Sequence, residues 1–222
     1  IRDGVVLVGD LMQDLAARVL DEVRDPSILG SIAEGLGAAG RRVILAPGSY
    51  LFATIHRHEN RAPDAIDRWV ALLRDAARPD RPVILALHPG TRLALGRRGD
   101  ALDLLGRDVV VVEPLGYRTS LALQLHAAAV LTDSGGVQRE AGWLGVPCLV
   151  LRSTTEWPEL LDAAGGTVAT VGLDGRRVAA ILGREAPRET SEDRARQRAA
   201  VVRIEPAGVA ETIAEALRAG PT

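Results

Sequence analysis

The chain has 222 residues, enough for one good-sized domain or two small ones. Apolar residues make up 47% and charged residues 25%, the ordinary balance of a globular protein. A net charge of -2 without a basic run gives no reason to expect nucleic acid, and a single cysteine excludes an internal disulfide framework.

All 27 basic residues are arginine, which with the abundant alanine reads as genome composition rather than mechanism. No apolar stretch approaches the ~18 residues of a membrane span. No secretory leader is visible, and a first residue Ile1 reads as a cut boundary. A cytoplasmic location is the expectation.

The first elements are a strand over 5–8, a helix over 11–23 and a Gly/Ala-rich linker over 35–40. Short β-branched runs then predict strands over 50–55, 82–87, 109–112, 129–132, 148–151 and 167–171. None shows strict polar alternation, which suits strands covered on both faces. Helices are expected over 63–78, opened by Pro63, and over 119–128, 137–144, 176–182 and 208–217. The Arg/Glu-rich stretch 184–203 reads as a solvated helix face. Alternation of this kind predicts an α/β fold: a Rossmann-like parallel sheet flanked by helices, with right-handed crossovers.

In open parallel sheets, ligands bind beyond the carboxyl ends of the strands. Five polar clusters fall there: residues 56–60 (His-Arg-His-Glu-Asn), 88–90, 113–117, 133–136 (Asp-Ser-Gly-Gly) and 152–156. In the fourth, Gly135 and Gly136 let the backbone approach a ligand closely and place N–H groups at a helix N-terminus, where anions are favoured. Ser134 can add a hydroxyl. Glu140, one helical turn further on, suits the diol of a ribose. Together they read as a grip for a nucleoside diphosphate.

The plainer alternative is a capped helix whose glycines only make the turn, with Glu140 solvated. A helix terminus contributes roughly 0.3–2 kcal/mol per anion, whereas micromolar binding needs ~8 kcal/mol, so base and sugar contacts must supply most of the affinity. His56 has its own plain alternative as a strand-end cap. His126 and Cys148 read as structural, the cysteine as a small buried hydrophobe.

The segments "ATIHRHEN", "LHPGTR", "PLGY", "LTDSGGVQREAGWLGVPCLVLRSTTEWPE" and "GTVATVG" stand in the order and spacing of the non-hydrolysing UDP-N-acetylglucosamine 2-epimerase family, which the chain resembles over about residues 50–172. The resemblance implies one half of a GT-B architecture: residues 1–40 as crossover and linker from a missing N-terminal domain, 41–222 as the UDP-binding domain. It implies a UDP-sugar substrate, no metal or other cofactor, and a homodimer.

Position by position, the resemblance makes His56 catalytic and substrate-facing. It puts Leu115 and Ser120 at the uracil, Ser134, Gly135 and Gly136 on the diphosphate, and Glu140 on the ribose. Trp157 stands where relatives often carry a substrate-contacting arginine. Arg57, His88 and Tyr117 are possible supporting or allosteric residues, His88 at a second UDP-sugar site of some bacterial members. Arg139 replaces a commonly acidic residue, and residues 203–217 lack the family's usual Tyr-Gly-Asp-Gly. The alternatives are a UDP-sugar-dependent GT-B glycosyltransferase, a hydrolysing epimerase, or a non-enzymatic nucleotide-sensing module.

Overall fold

The computed structural model describes residues 5–37, 43–99, 101–163, 168–183 and 208–219. Six strands form one parallel sheet: β1 (Leu51–Ile55), β2 (Val83–Leu87), β3 (Val109–Val112), β4 (Ala129–Thr132), β5 (Cys148–Val150) and β6 (Val168–Thr170). Their spatial order is β3-β2-β1-β4-β5-β6. The chain builds outward from β1 to one edge, returns to lay β4 beside β1, and builds outward to the other. Connections after β1 and β4 therefore leave in opposite directions and open a crevice at their carboxyl ends.

Alternate side chains go to opposite faces, and both faces are covered. Phe52, Ile84, Val130 and Cys148 enter a core with α1 (Leu11–Val23), α2 (Ile28–Gly37), α6 (Tyr117–His126) and α7 (Gly135–Trp143). Leu51, Leu85, Leu131 and Leu149 enter the other, with α3 (Pro63–Ala76) and α9 (Gly175–Gly183). Short helices α4 (Pro89–Gly96), α5 (Ala101–Leu104) and α8 (Pro158–Ala163) complete the connections, with a 3₁₀ turn over His58–Arg61. A last helix, α10 (Val209–Ala219), packs on α1, where Asp14 accepts from the N–H groups of Gly208 and Ala210.

Several expectations shift. Residues 5–8 form no strand; Val5, Val6 and Leu7 are exposed, Leu7 at 96%. The apolar run has no strand beside it among the described residues. Helix α2 was not anticipated, because Gly30, Gly35 and Gly37 lower its local propensity, but Leu29 is fully packed and Ile32 and Leu36 lie against the core. α3 stops at Ala76 because Ala77 is extended and Arg78 pairs with Arg81. α6 begins two residues early, after an extended Gly116. α7 takes in both glycines as its first turn, capped by Ser134. The stretch 184–203 lies outside the described residues.

Candidate functional site

The crevice is organised by the first residue of the Asp-Ser-Gly-Gly cluster. Asp133 directly follows β4 with 0% exposure. Its carboxylate accepts from the backbone N–H of His56 (3.0 Å), the backbone N–H of Arg57 (2.9 Å) and the Asn60 amide (2.8 Å). The loop after β1 is thus tied to the loop after β4. Trp69 fixes the far side of that loop, donating its indole N–H to the Asn60 carbonyl at 2.9 Å. Beneath, Thr54 and Thr132, register partners across the two strands, join hydroxyls at 2.6 Å, and Thr132 accepts from the Ser134 N–H.

This bracing presents the His56 imidazole to the crevice, 3.9 Å from Asp133 and 6.2 Å, ring to ring, from His88. Burial, with Arg57, His88 and Arg61 nearby, holds the His56 pKa below its ordinary value against the pull of Asp133. The imidazole is therefore neutral at pH 7 in the free chain. His88 caps α4, its Nδ1 accepting from Gly90 at 3.1 Å.

The start of α7 faces the same crevice. Ser134 Oγ accepts from the Val137 N–H at 3.4 Å, so its own proton stays available to a ligand. The Ser134 carbonyl takes the Gln138 N–H, and the first-turn amides of Gly135 and Gly136 have no intrahelical acceptor. Neither glycine has a positive φ. Space is tight at both: a Cβ on Gly135 would meet Trp157 Nε1 at 3.2 Å, and one on Gly136 the Met12 methyl at 3.1 Å, so the neighbour would have to give way.

Glu140 is not solvated. It is 5% exposed and accepts from Gln124 Nε2 at 2.7 Å; Gln124 also reaches Ser120 Oγ at 3.4 Å. Burial pushes the Glu140 pKa up, while Gln124 and Tyr117 oppose the rise. Burial and the neighbouring carboxylate push the Tyr117 phenol up in turn, although its hydroxyl makes no hydrogen bond of ordinary geometry. A buried carboxyl with one protein donor keeps acceptor capacity for a hydroxyl pair.

On the other flank, Arg57 and Arg152 share Glu156 at 2.8 and 2.5 Å, and Arg152 reaches Glu59 at 3.1 Å. Arg139 lies over the ring of Trp157 at 4.1 Å and pairs with Asp10.

The sequence-derived residues divide accordingly. His56, His88, Leu115, Ser120 and Ser134 line one cavity of about 190 Å³. Arg57 and Trp157 border Gly135. Glu140 and Tyr117 lie behind the cavity, joined to it through Gln124 and Ser120. Asp133, named only within its cluster, and Gln124 carry roles that the sequence reading does not give them. The signal for Asp133 was its place before Ser-Gly-Gly at a strand end; Gln124 stands one helical turn after Ser120. The two residues read as structural behave so: His126 Nε2 bonds the Val23 carbonyl at 2.9 Å, and burial pushes the Cys148 thiol up to about 12.

A parallel sheet in this order, with a helix N-terminus and a buried carboxyl at its switch point, is a doubly wound α/β layer, the class whose ligands bind in the crevice beyond the strand ends. The family model described as UDP-N-acetylglucosamine 2-epimerase matches residues 2–206, and the chain belongs to that family. It is 34% identical over 171 residues to the UDP-2,3-diacetamido-2,3-dideoxy-D-glucuronate 2-epimerase of Pseudomonas aeruginosa, covering 77% of this chain and 43% of that protein. It is 34% identical over 177 residues to a probable UDP-N-acetylglucosamine 2-epimerase of Ralstonia nicotianae, covering 77% and 44%. Among solved structures, the UDP-GlcNAc 2-epimerase of Neisseria meningitidis bound to UDP-GlcNAc superposes with a TM-score of 0.75 at 26% identity, covering 97% of this chain and 56% of that one. The chain spans less than half the length of these two curated relatives, and its sheet and helices are one half of the GT-B epimerase fold. Among the described residues, no helix is long and apolar enough to cross a membrane.

Proposed function

We propose that this chain is the nucleotide-gripping half of a UDP-N-acetylglucosamine 2-epimerase, which interconverts UDP-N-acetylglucosamine and UDP-N-acetylmannosamine. One observation carries the reading. Through Asp133, the strand ends of β1 and β4 hold an imidazole and two uncommitted helix-start amides toward one crevice. The Neisseria meningitidis neighbour, bound to UDP-GlcNAc, supports the ligand class. The Pseudomonas aeruginosa relative is named for a different sugar, so inversion at C2 is the shared chemistry and the N-acetyl sugar the specific proposal.

The C2 hydrogen has no neighbouring carbonyl to acidify it. Inversion therefore proceeds by elimination: the C1–O bond breaks with its electron pair leaving on UDP, C2 loses a proton, and a C1=C2 double bond forms. Reprotonation of C2 from the opposite face and re-addition of UDP complete the cycle. Negative charge grows on the departing diphosphate, where the amides of Gly135 and Gly136, the Ser134 hydroxyl and His56 are placed to stabilise it. Leu115 offers backbone groups to the uracil beside Ser120, Glu140 receives the ribose diol, and Trp157 borders the sugar diphosphate. Arg57, His88 and Tyr117 support these groups, with His88 placed for a second UDP-sugar.

The carboxylates that move the C2 proton are assigned to a domain N-terminal to this one, with residues 1–40 as the crossover and 41–222 as the UDP-binding domain. The same reading makes the whole enzyme a cytoplasmic homodimer in nucleotide-sugar metabolism serving polysaccharide biosynthesis.

Incubating the whole protein with UDP-N-acetylglucosamine in deuterated water, without an acceptor, tests this. UDP-N-acetylmannosamine carrying deuterium at C2 is the expected product. Stoichiometric free sugar and UDP would indicate the hydrolysing reaction, and no reaction until an acceptor is added would indicate a glycosyltransferase.

A further inference from the structure

Four arginines around the carboxyl ends of the strands pair with carboxylates: Arg57 with Glu156, Arg152 with Glu59 and Glu156, Arg92 with Glu113, and Arg98 with Asp67. Two others there do not. Arg61, which ends the 3₁₀ turn, and Arg97, directly after α4, have no carboxylate partner among the described residues. Both line one open cavity of about 430 Å³ between the turn and α4, together with His58, Glu59, Gly90 and Leu93.

Arg61 is fixed in place by backbone. Its Nη2 donates to the His56 carbonyl at 2.6 Å, and a Cβ on Gly90 would stand 2.8 Å from its Nη1. Gly90 belongs to the first turn of α4, the end of a helix that favours anions over cations. The N–H groups there are already engaged, Gly90 by His88 Nδ1 and Thr91 and Arg92 by the His88 carbonyl. A guanidinium held against that end, with Arg97 facing the same cavity, is an arrangement that an anion completes. Glu59, a carboxylate in the lining, is drawn off to Arg152 Nε at 3.1 Å. Leu93, 61% exposed, and Ala94 give the cavity an apolar wall.

We propose that this cavity is a second anion site, which takes the phosphate of a small phosphate ester on Arg61 and Arg97 and lays the ester's apolar body on Leu93 and Ala94. Two guanidinium groups and the His58 imidazole in one lining suit the three oxygens of a phosphate better than the two of a carboxylate. The site is separate from the nucleotide crevice: His56, His88, Leu115, Ser120 and Ser134 line the other cavity and none of them lines this one. The proposal therefore stands whether or not the crevice binds UDP.

Backbone amide resonances of the ¹⁵N-labelled full chain, titrated with inorganic phosphate and separately with phenyl phosphate, provide the test. The amides of Gly90, Leu93 and Arg97 report this cavity, and those of Gly135 and Gly136 report the crevice. Both probes should move the first set, phenyl phosphate at several-fold lower concentration because its ring covers Leu93. R97Q removes an exposed charge without a protein partner, so the fold is kept. It should weaken phenyl phosphate at the first set about tenfold, the worth of hydrogen bonds to an anion, and leave the response of Gly135 and Gly136 unchanged. R61Q should weaken it as much and also shift the Arg57 amide in the free protein, since that peptide carries the His56 carbonyl. Shifts confined to Gly135 and Gly136, or an R97Q response equal to wild type, overturn the site. Equal affinities for the two probes overturn the assignment of a phosphate ester.

Discussion

The carboxylate of Asp133 accepts the backbone N–H of His56 at 3.0 Å across 77 residues of sequence, with no solvent contact. One acidic side chain at the end of β4 thus sets where the imidazole at the end of β1 stands relative to α7. β4 ends in Thr132, whose hydroxyl meets that of Thr54, the residue before the last of β1, so the junction is polar.

The first prediction concerns that junction. Asp133→Asn replaces an acceptor facing three N–H donors by a group that must turn an NH₂ toward one of them. A loss of about 3 kcal/mol in stability is expected, the scale for hydrogen bonds to a buried charge. Urea unfolding measures this. UDP affinity should fall together with stability, since the loop carrying His56 loses its tie to the residue just before Ser134.

A second prediction follows from His56. Its pKa is lowered in the folded chain, so it contributes stability above the unfolded value of ~6.5 that is lost as pH falls toward the folded value. A bound diphosphate places negative charge nearby and raises the pKa again, so binding takes up a proton. The affinity advantage of wild type over His56→Gln should therefore widen as pH falls from 7.5 to 6. Titrating both proteins with UDP cancels the titration of the nucleotide's own phosphate. A constant ratio would place His56 away from the diphosphate.

Glu140 yields a third. If the carboxyl receives the ribose diol, wild type prefers UDP over its 2′,3′-dideoxy analogue, and Glu140→Gln reduces that preference about tenfold. Calorimetric titration of the two nucleotides against both proteins reads the difference. Because Gln124 donates to Glu140 at 2.7 Å, Gln124→Leu should weaken UDP by loosening the carboxyl.

A fourth concerns catalysis. In the proposed reading, the residues of this chain supply binding and charge stabilisation at the leaving group, and the proton-transfer carboxylates belong to another domain. Residues 1–222 should bind UDP weakly and show no proton exchange at C2, as read by NMR of UDP-N-acetylglucosamine in deuterated water. Exchange at the rate of the whole enzyme would move the acid and base into this chain.

Much of the sheet was legible because buried parallel strands leave a direct trace: Val109–Val112 is four valines, and Ala129–Thr132 and Cys148–Val150 are apolar runs between polar turns. Residues 5–8 carry the same trace without a neighbour to pair with among the described residues, and composition alone does not distinguish the two. Helix starts slipped where glycine was read as turn, as at Gly135, because the cap is the serine before it. The geometry of the candidate site was legible where short range decides, in the Ser134-capped helix start at Gly135 and Gly136 with Glu140 one turn on. It was illegible where strand order decides. That Asp133 would bond to residues 56, 57 and 60 follows only once β4 lies beside β1, and that Glu140 is buried only once Gln124 packs over it. Arg139 and Trp157, separate departures in the sequence, meet in space as a stacked pair.

The most direct measurement is a crystal structure of this chain with UDP. Phosphate oxygens should lie within hydrogen-bond reach of the Gly135 and Gly136 amides, with the ribose hydroxyls on Glu140. Electron density for the nucleotide anywhere other than the crevice between the β1 and β4 ends would contradict that assignment.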